Sequence, residues 1–117
     1  MTTLQRTSTS LDDRRFINYI NYVEIRETET FRKWFSGLRD GLAKRRIDMR
    51  IKRLAMGNPG DVASAGEGVS EMRIFYGPGY RVYFKDTGKE IIILLCGGDK
   101  STQSADIEKA RDLARDY

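Results

Sequence analysis

The sequence predicts an α+β domain in which a curved antiparallel sheet packs against helices on one side. A β-rich run comes first, two stretches with helical apolar spacing follow it, and three more β-rich runs precede a last helical stretch. The predicted order is therefore β-α-α-β-β-β-α. Strands grouped after a helical hairpin are typical of α+β folds rather than of doubly wound parallel sheets.

The length of the chain predicts a single domain. Its 117 residues can bury one core and are too few for two. With 39% hydrophobic and 32% charged residues, the composition is that of a folded globular protein rather than a disordered one. We expect residues 1–15 to form a polar arm and residues 16–117 to form the domain.

Several features of the sequence indicate a cytoplasmic protein. The longest apolar run, Ile91 to Cys96, is far shorter than the roughly 20 residues that a membrane-spanning helix needs. The first fifteen residues lack the apolar middle of a secretory signal. The single cysteine suits a reducing compartment, and its apolar setting favours a packed thiol over a nucleophile.

The first half of the chain contains the predicted helical hairpin. Residues 19–26 alternate and are rich in β-formers, which predicts the first strand. Thr28 can cap a helix with an aromatic stripe that starts at Phe31. After Gly37 and Gly41, a second helix is predicted from apolar residues at helical spacing, which are Ala43, Ile47, Ile51 and Leu54.

The second half contains the predicted sheet. Residues 56–68 are rich in glycine and lack periodicity, so we predict a long loop there. Residues 69–76 and 80–85 predict a β-hairpin, and the unbroken apolar residues 90–96 predict a strand covered on both faces. Gly97-Gly98 should end that strand, after which Ser101 or Thr102 can cap a final helix.

Positive charge is concentrated in one stretch, where nine basic and two acidic residues lie between Arg32 and Arg53. Such a patch attracts polyanions, and nucleic acid before membrane, because no aromatic-studded membrane-surface helix accompanies it. The alternative is an ordinary solvated helix face. The candidate nucleic-acid-binding residues are those of the second predicted helix, namely Lys44, Arg45, Arg46, Arg50, Lys52 and Arg53.

The chain contains no histidine, which excludes many catalytic mechanisms. An imidazole base, a Ser/His or Cys/His pair and a His-bearing zinc site are all impossible. The acidic residues show no calcium-loop pattern, so we expect neither a metal site nor a cofactor. Any catalysis must use arginine, lysine, tyrosine or carboxylates.

The predicted hairpin brings a group of polar residues to one face. Because side chains alternate along a strand, Glu71 and Arg73 should share a face with Arg81 and Tyr83, and Lys100 should lie at the end of the last strand. Guanidinium groups suit a phosphodiester because they stay charged and donate paired hydrogen bonds. A tyrosine or carboxylate beside them could move protons. The alternative is a cross-strand ion pair with no chemistry.

The segment 97–102, Gly-Gly-Asp-Lys-Ser-Thr, resembles a phosphate loop only superficially, because the glycine offsets of a Walker motif are missing. Lys100 and free backbone N–H groups at a helix start could still hold a phosphate. The alternative is a simple strand-to-helix turn.

Two segments of this sequence resemble the signature of HigB-like toxins of the RelE/ParE superfamily. They are residues 79–84, Gly-Tyr-Arg-Val-Tyr-Phe, and residues 95–103, Leu-Cys-Gly-Gly-Asp-Lys-Ser-Thr-Gln. The similarity runs from about Tyr22 to the C-terminus. It also includes residues 31–38, 60–62 and 71–74.

This resemblance implies a four-stranded, microbial-ribonuclease-like fold and a toxin of a type II toxin–antitoxin system. RelE-type members cleave mRNA in the ribosomal A site with basic residues, whose positions match Arg73, Arg81 and Lys100 here. They also use a tyrosine after the last loop, and this sequence has none between Lys100 and Tyr117. Tyr83 or Glu71 would then replace it.

The resemblance also implies a partner and leaves alternatives open. The expected partner is a helix-turn-helix antitoxin that neutralises the toxin and covers part of its basic surface. Operator DNA would be bound only through the complex of the two proteins. ParE-type relatives share the fold and poison DNA gyrase, so the fold does not decide the activity. A non-catalytic nucleic-acid-binding regulatory module is the remaining alternative.

Overall fold

A computed structural model describes residues 23–117 of the chain. The predicted arm, residues 1–15, and the first part of the predicted first strand lie outside the described residues. The elements are β1 (Glu24–Glu27), α1 (Glu29–Gly37), α2 (Gly41–Ala55), β2 (Val62–Gly66), β3 (Val69–Ile74), β4 (Tyr80–Asp86), β5 (Ile91–Gly98), a 3-10 turn (Lys100–Thr102) and α3 (Gln103–Ala114). The α+β class predicted from the sequence is confirmed.

The sheet has five strands in the order β1-β5-β4-β3-β2. Strand β1 runs parallel to β5, with Ile25 opposite Ile92, and the other pairs are antiparallel. The prediction of a four-stranded, wholly antiparallel sheet was therefore wrong on both counts. The order of elements is β-α-α-β-β-β-β-α.

The additional strand is β2, which lies within the segment predicted to be a loop. Its sequence, Val-Ala-Ser-Ala-Gly, has small side chains and no alternation of large apolar residues. Its backbone nevertheless pairs with β3, with Val62 opposite Met72 and Ala63 opposite Glu71. An edge strand needs only main-chain hydrogen bonds on one side, and side-chain periodicity does not report those.

Helix α1 begins where the sequence predicted. The Thr28 hydroxyl accepts a hydrogen bond from the Phe31 amide at 3.0 Å and donates one to the Leu95 carbonyl at 2.6 Å. The cap of the helix is thus also a link to the central strand β5. Phe31 is fully buried, and Trp34 and Phe35 pack beside it.

Helix α2 is capped by Asp40, whose carboxylate accepts hydrogen bonds from the Leu42 and Ala43 amides at 3.0 and 3.2 Å. The apolar stripe predicted for this helix is confirmed. Its buried residues include Ala43, Ile47, Ile51 and Leu54. Of the helices described, none combines the length and the apolarity that a bilayer crossing needs.

Apolar residues pack on both faces of the sheet. On one face Met72, Val82 and Leu94 pack with the α1–α2 hairpin. On the other face Tyr83 and Leu95 pack with residues of α3. The prediction that all helices lie on one side was wrong, because α3 crosses to the second face. The predicted coverage of β5 on both faces is confirmed, and these two layers explain its unbroken apolar run.

Gly97 and Gly98 are the last two residues of β5, so the strand ends at the glycine pair, as predicted, but includes both glycines. Their missing side chains leave space that neighbouring side chains occupy on both faces of the sheet. A Cβ at Gly97 would lie 2.3 Å from the Trp34 ring, and a Cβ at Gly98 would lie 1.8 Å from the Asp106 carboxylate. The glycine pair therefore admits an α1 side chain on one face and an α3 side chain on the other.

We predict that Gly97→Ala and Gly98→Ala each lower the free energy of unfolding by about 1 to 3 kcal/mol, because the added methyl overpacks the site. Gly37→Ala is the matched control, since nothing lies within 4 Å of a Cβ there. That change should be neutral or stabilising by up to about 1 kcal/mol, because alanine favours the helix. Urea unfolding followed by circular dichroism measures all three, and equal effects would contradict the packing argument.

Candidate functional site

Strands β3 and β4 place two guanidinium groups and one carboxylate side by side. Arg73 lies opposite Arg81 in the antiparallel register, and Glu71 lies opposite Tyr83. All four side chains share one face of the sheet, as the alternation predicted, but this face packs against α3, whereas they were expected on the face turned away from the helices. The sequence therefore predicted the members of this cluster correctly.

Glu71 is the centre of the cluster and is only 2% exposed. Its carboxylate accepts hydrogen bonds from Arg73 Nε at 2.9 Å, Tyr83 Oη at 3.0 Å and Gln103 Nε2 at 2.8 Å. Arg81 Nε lies 3.4 Å away as an ion-pair partner. Burial opposes ionisation, but the three hydrogen bonds and the nearby Arg81 outweigh it, so the pKa of Glu71 is lowered.

The two arginines differ in how far they reach solvent. The Arg81 side chain is 13% exposed, and its Nη1 donates to the Gly79 carbonyl at 3.1 Å. Its Nε is buried and makes no hydrogen bond within the described chain. The Arg73 side chain is 38% exposed. Arg73 therefore presents the accessible guanidinium, and Arg81 lies behind it.

Glu71 and Tyr83 do not lie where a direct proton donor or acceptor for a substrate would. Tyr83 is fully buried, and burial followed by the hydrogen bond to Glu71 raises its pKa. The Glu71 carboxylate already accepts hydrogen bonds from Arg73, Tyr83 and Gln103. The predicted proton transfer by either residue conflicts with this geometry. Glu71 instead fixes the positions of the arginines, and the Tyr83 hydroxyl helps to hold Glu71.

Lys100 follows the end of β5, as the sequence predicted, and it also lies beside the turn between β3 and β4. It is exposed, and its backbone amide donates to the Pro78 carbonyl at 3.4 Å. A Cβ built at Gly79 would lie 3.5 Å from both Lys100 Cβ and Arg81 Nη1. Lys100 and Arg81 therefore flank the same turn at the end of the sheet.

The turn at Lys100 is organised by Asp99, which the sequence analysis missed. Asp99 accepts hydrogen bonds from the Ser101 amide at 2.8 Å and from the Ser101 hydroxyl. These bonds lower the pKa of the Asp99 carboxyl. The cap predicted at Ser101 or Thr102 is thus supplied by Asp99 at the 3-10 turn. The Ser101 amide, which a phosphate bound at this turn would need, therefore already donates its hydrogen bond to Asp99.

The six basic residues predicted on α2 do not form one surface. Lys44 donates to the Ser36 carbonyl at 3.2 Å, and Lys52 pairs with Asp48 at 3.0 Å. The other four line a groove of about 540 Å³, which we call the α2 groove, and they are Arg45, Arg46, Arg50 and Arg53. The rest of its lining is apolar and consists of Leu42, Met49, Ile74 and Phe75.

Arg50 joins the α2 groove to the sheet. Its Nη1 donates to the Arg73 carbonyl at 2.5 Å, and its Nη2 donates to the Pro59 and Asp61 carbonyls at 3.0 and 3.3 Å. These bonds hold the loop before β2 and the backbone of β3. Arg50 thus has a structural role besides lining the groove.

The basic helix and the sheet arginines lie on opposite sides of the sheet. Helix α2 packs on the face of Met72 and Val82, whereas Arg73 and Arg81 belong to the face of Tyr83. Because neighbouring residues of a strand point to opposite faces of the sheet, the α2 cations and the sheet arginines do not form one concave surface. The residues that the structure describes thus place these cations on two separate surfaces.

Sequence reasoning also missed Gln103, whose amide holds Glu71 from α3. No spacing in the sequence indicates this contact, because Gln103 and Glu71 are 32 residues apart. Between Val23 and Tyr117, the structure contains no group of three or more Cys, Asp or Glu residues that could hold a metal ion.

Comparison with known proteins identifies one close relative. A protein of Haemophilus influenzae, described as uncharacterized, is 50% identical to the chain over 94 residues. These residues are 80% of this chain and 95% of the relative. No protein-family model matches the chain, and no solved structure is significantly similar to it.

We predict that Glu71→Gln lowers the free energy of unfolding by about 2 kcal/mol, because two arginines lose the buried charge that they face. Glu67→Gln is the matched control. Glu67 also lies near two arginines, Arg111 and Arg115, each at 3.5 Å, but its side chain is 53% exposed. Loss of the Glu67 charge should lower the free energy of unfolding by less than about 1 kcal/mol. Equal costs in urea unfolding would contradict the central role of Glu71.

The cost of Glu71→Gln should depend on pH. In the unfolded chain this carboxyl titrates near its ordinary value of 4.5, and folding lowers its pKa. The stabilisation from the ionised form is therefore intact above pH 4.5 and is lost as pH falls through the lower pKa of the folded state. The difference between wild type and Glu71→Gln should narrow below that pH, and a constant difference would argue against this assignment.

Proposed function

We propose that this chain, which belongs to the same family as the Haemophilus influenzae protein, is the toxin of a type II toxin–antitoxin system. Its activity in this proposal is ribosome-dependent cleavage of mRNA, which stops translation. Two lines of support lead to it. One is the resemblance of residues 79–84 and 95–103 to RelE/ParE-like toxins, and the other is the arrangement of the sheet arginines.

The observation that carries the proposal is the cross-strand pair of Arg73 and Arg81 around one buried carboxylate. Glu71 fixes both guanidinium groups, so they need little reorganisation to meet an anion. Arg73 reaches solvent, and Lys100 adds a flexible cation at the neighbouring turn. A phosphodiester is an anion that suits two fixed planar donors and one mobile charge.

The chemistry needs no metal. The 2′-hydroxyl of the RNA attacks the adjacent phosphorus, and the bond from phosphorus to the 5′-oxygen breaks. The attacking hydroxyl loses a proton and the leaving oxygen gains one, so the products are a 2′,3′-cyclic phosphate and a 5′-hydroxyl. The arginines would stabilise the negative charge that builds on the phosphate oxygens. Because Glu71 and Tyr83 are buried, the protons in this scheme are exchanged with water.

The fold is compatible with this proposal. The resemblance implies a helical hairpin, an antiparallel sheet and a final helix, and the chain has an α1–α2 hairpin, an antiparallel β3-β4-β5 unit and the final helix α3, with β1 and β2 as further strands of the sheet. As a toxin of this kind, the protein would act in the cytoplasm and be neutralised by a helix-turn-helix antitoxin. The complex of the two proteins would bind operator DNA.

One observation favours a second candidate function. The two residues that could replace the missing tyrosine, Glu71 and Tyr83, are buried and hydrogen-bonded to each other. The site is therefore better suited to binding an anion than to transferring a proton. A toxin that binds without cutting, such as a gyrase-binding protein, or a nucleic-acid-binding regulator would need only the cationic surfaces.

We predict that induction of the wild-type chain in a bacterial host arrests growth and produces new, in-frame mRNA 5′ ends. Arg73→Gln should reduce cutting about a hundredfold or more, because one donor to the developing charge is lost. Arg39→Gln removes an exposed arginine of the α1–α2 connection and should leave cutting unchanged. Circular dichroism checks that both variants fold.

Other outcomes of this experiment separate the candidates. Growth arrest with altered plasmid supercoiling and no new mRNA ends would replace the nuclease with a gyrase-binding toxin. Harmless expression would favour the regulator. Full cutting by Arg73→Gln would remove this arginine from the site.

A further inference from the structure

The α2 groove is a second surface that the proposed chemistry does not use. It lies on the helical-hairpin side of the sheet, away from the accessible guanidinium of Arg73. Its lining consists of four arginines and four apolar residues. The composition of this groove indicates what it binds.

Large apolar side chains are exposed in the groove to an unusual degree. Phe75 is 82% exposed and Met49 is 54% exposed, and Leu42 is exposed as well. Leu42 and Met49 are seven residues apart on α2, which puts them on one side of the helix. Only two other large apolar residues in the described chain are as open, Met56 and Tyr117. Contiguous exposed apolar side chains usually mark a surface that another protein covers.

The arginines of the groove have few carboxylate partners among residues 23–117. Arg45 lies near enough to Asp40 to help lower the pKa of that carboxyl, whereas neither Arg46 nor Arg53 forms an ion pair with a described carboxylate. Arg46 lies over the Tyr76 ring, 4.8 Å from its centroid, which holds it at the wall. An occupant of this groove must therefore bring negative charge as well as apolar side chains.

The residue types that line the α2 groove favour a protein over RNA as its occupant. Met, Phe and Arg are enriched in the cores of protein interfaces and Lys is depleted. The cations of the groove are all arginines, while Lys44 and Lys52 of the same helix contact other groups. A phosphate backbone would gain nothing from the apolar lining residues Leu42, Met49 and Ile74. An amphipathic helix would bury these residues.

We propose that the α2 groove binds an acidic amphipathic helix of a partner protein. The apolar stripe of that helix covers Leu42, Met49 and Phe75, and its flanking carboxylates pair with Arg45, Arg46 and Arg53. The proposal rests on the function proposed above only for the identity of the partner, which in a toxin would be the antitoxin. Because Arg73 lies on the other face of the sheet, the bound helix leaves its guanidinium uncovered.

A displayed library of helical peptides with randomised surface residues provides the probe. Peptides selected on the purified chain should carry Leu, Met or Phe at helical spacing, with Asp or Glu beside this stripe. The best peptide is then measured by fluorescence anisotropy. Met49→Asp should weaken its binding about tenfold or more, since it removes a central apolar contact and repels the peptide.

Matched controls make this measurement specific to the groove. Met56→Asp changes a methionine that is also 54% exposed but lies outside the groove lining. It should leave binding unchanged. Arg45→Glu should weaken binding, whereas Arg39→Glu, outside the groove, should have a much smaller effect. Circular dichroism of each variant excludes loss of folding as the cause.

Several outcomes would overturn the proposal. Selected peptides that are neutral or basic would do so, as would equal effects of Met49→Asp and Met56→Asp. Displacement of the peptide by a single-stranded RNA oligonucleotide would assign the groove to nucleic acid. A dimer in light scattering that Met49→Asp dissociates would assign it to a second copy of the chain. Arg73→Gln should bind the peptide normally, so failure of the nuclease proposal remains distinguishable.

Discussion

A buried carboxylate must be matched by donors, and Glu71 imposes this requirement on the whole second face of the sheet. Its partners come from three elements, since Arg73 is on β3, Arg81 and Tyr83 are on β4, and Gln103 is on α3. Each unmatched oxygen would carry a desolvation cost, so these elements are held in one relative position. The exposed guanidinium of Arg73 owes its fixed direction to this requirement.

Much of the fold follows from patterns that report burial. The Thr28 cap, the stripe from Ala43 to Leu54 and the β3–β4 hairpin were all predictable because side-chain type and spacing determine them. Strand β2 and the parallel pairing of β1 depend on main-chain hydrogen bonds, which leave no mark on side-chain periodicity. The close packing of α1 and α3 depends on the missing side chains of Gly97 and Gly98, which make room for Trp34 on one face and for Asp106 on the other, and no spacing in the sequence indicates these contacts.

The candidate site shows the same division. Alternation correctly placed Glu71, Arg73, Arg81 and Tyr83 together, because register follows from the hairpin. The same alternation could not indicate that α3 covers Glu71 and Tyr83, since coverage is a long-range contact. Burial turned two expected proton carriers into positioning residues. The basic run of α2 likewise predicted positive charge but not where each side chain points. In the structure four of its arginines line the α2 groove, Lys52 pairs with Asp48, and Lys44 donates to the Ser36 carbonyl of α1.

The two cationic surfaces are separated by the thickness of one sheet, and Arg50 belongs to the architecture of both. It lines the α2 groove and also holds the main-chain carbonyl of Arg73. A substitution of Arg45 or Lys100 therefore changes one surface and leaves the other in place, whereas a substitution of Arg50 alters both at once. Arg50 is thus the residue through which a change on one side of the sheet is transmitted to the other.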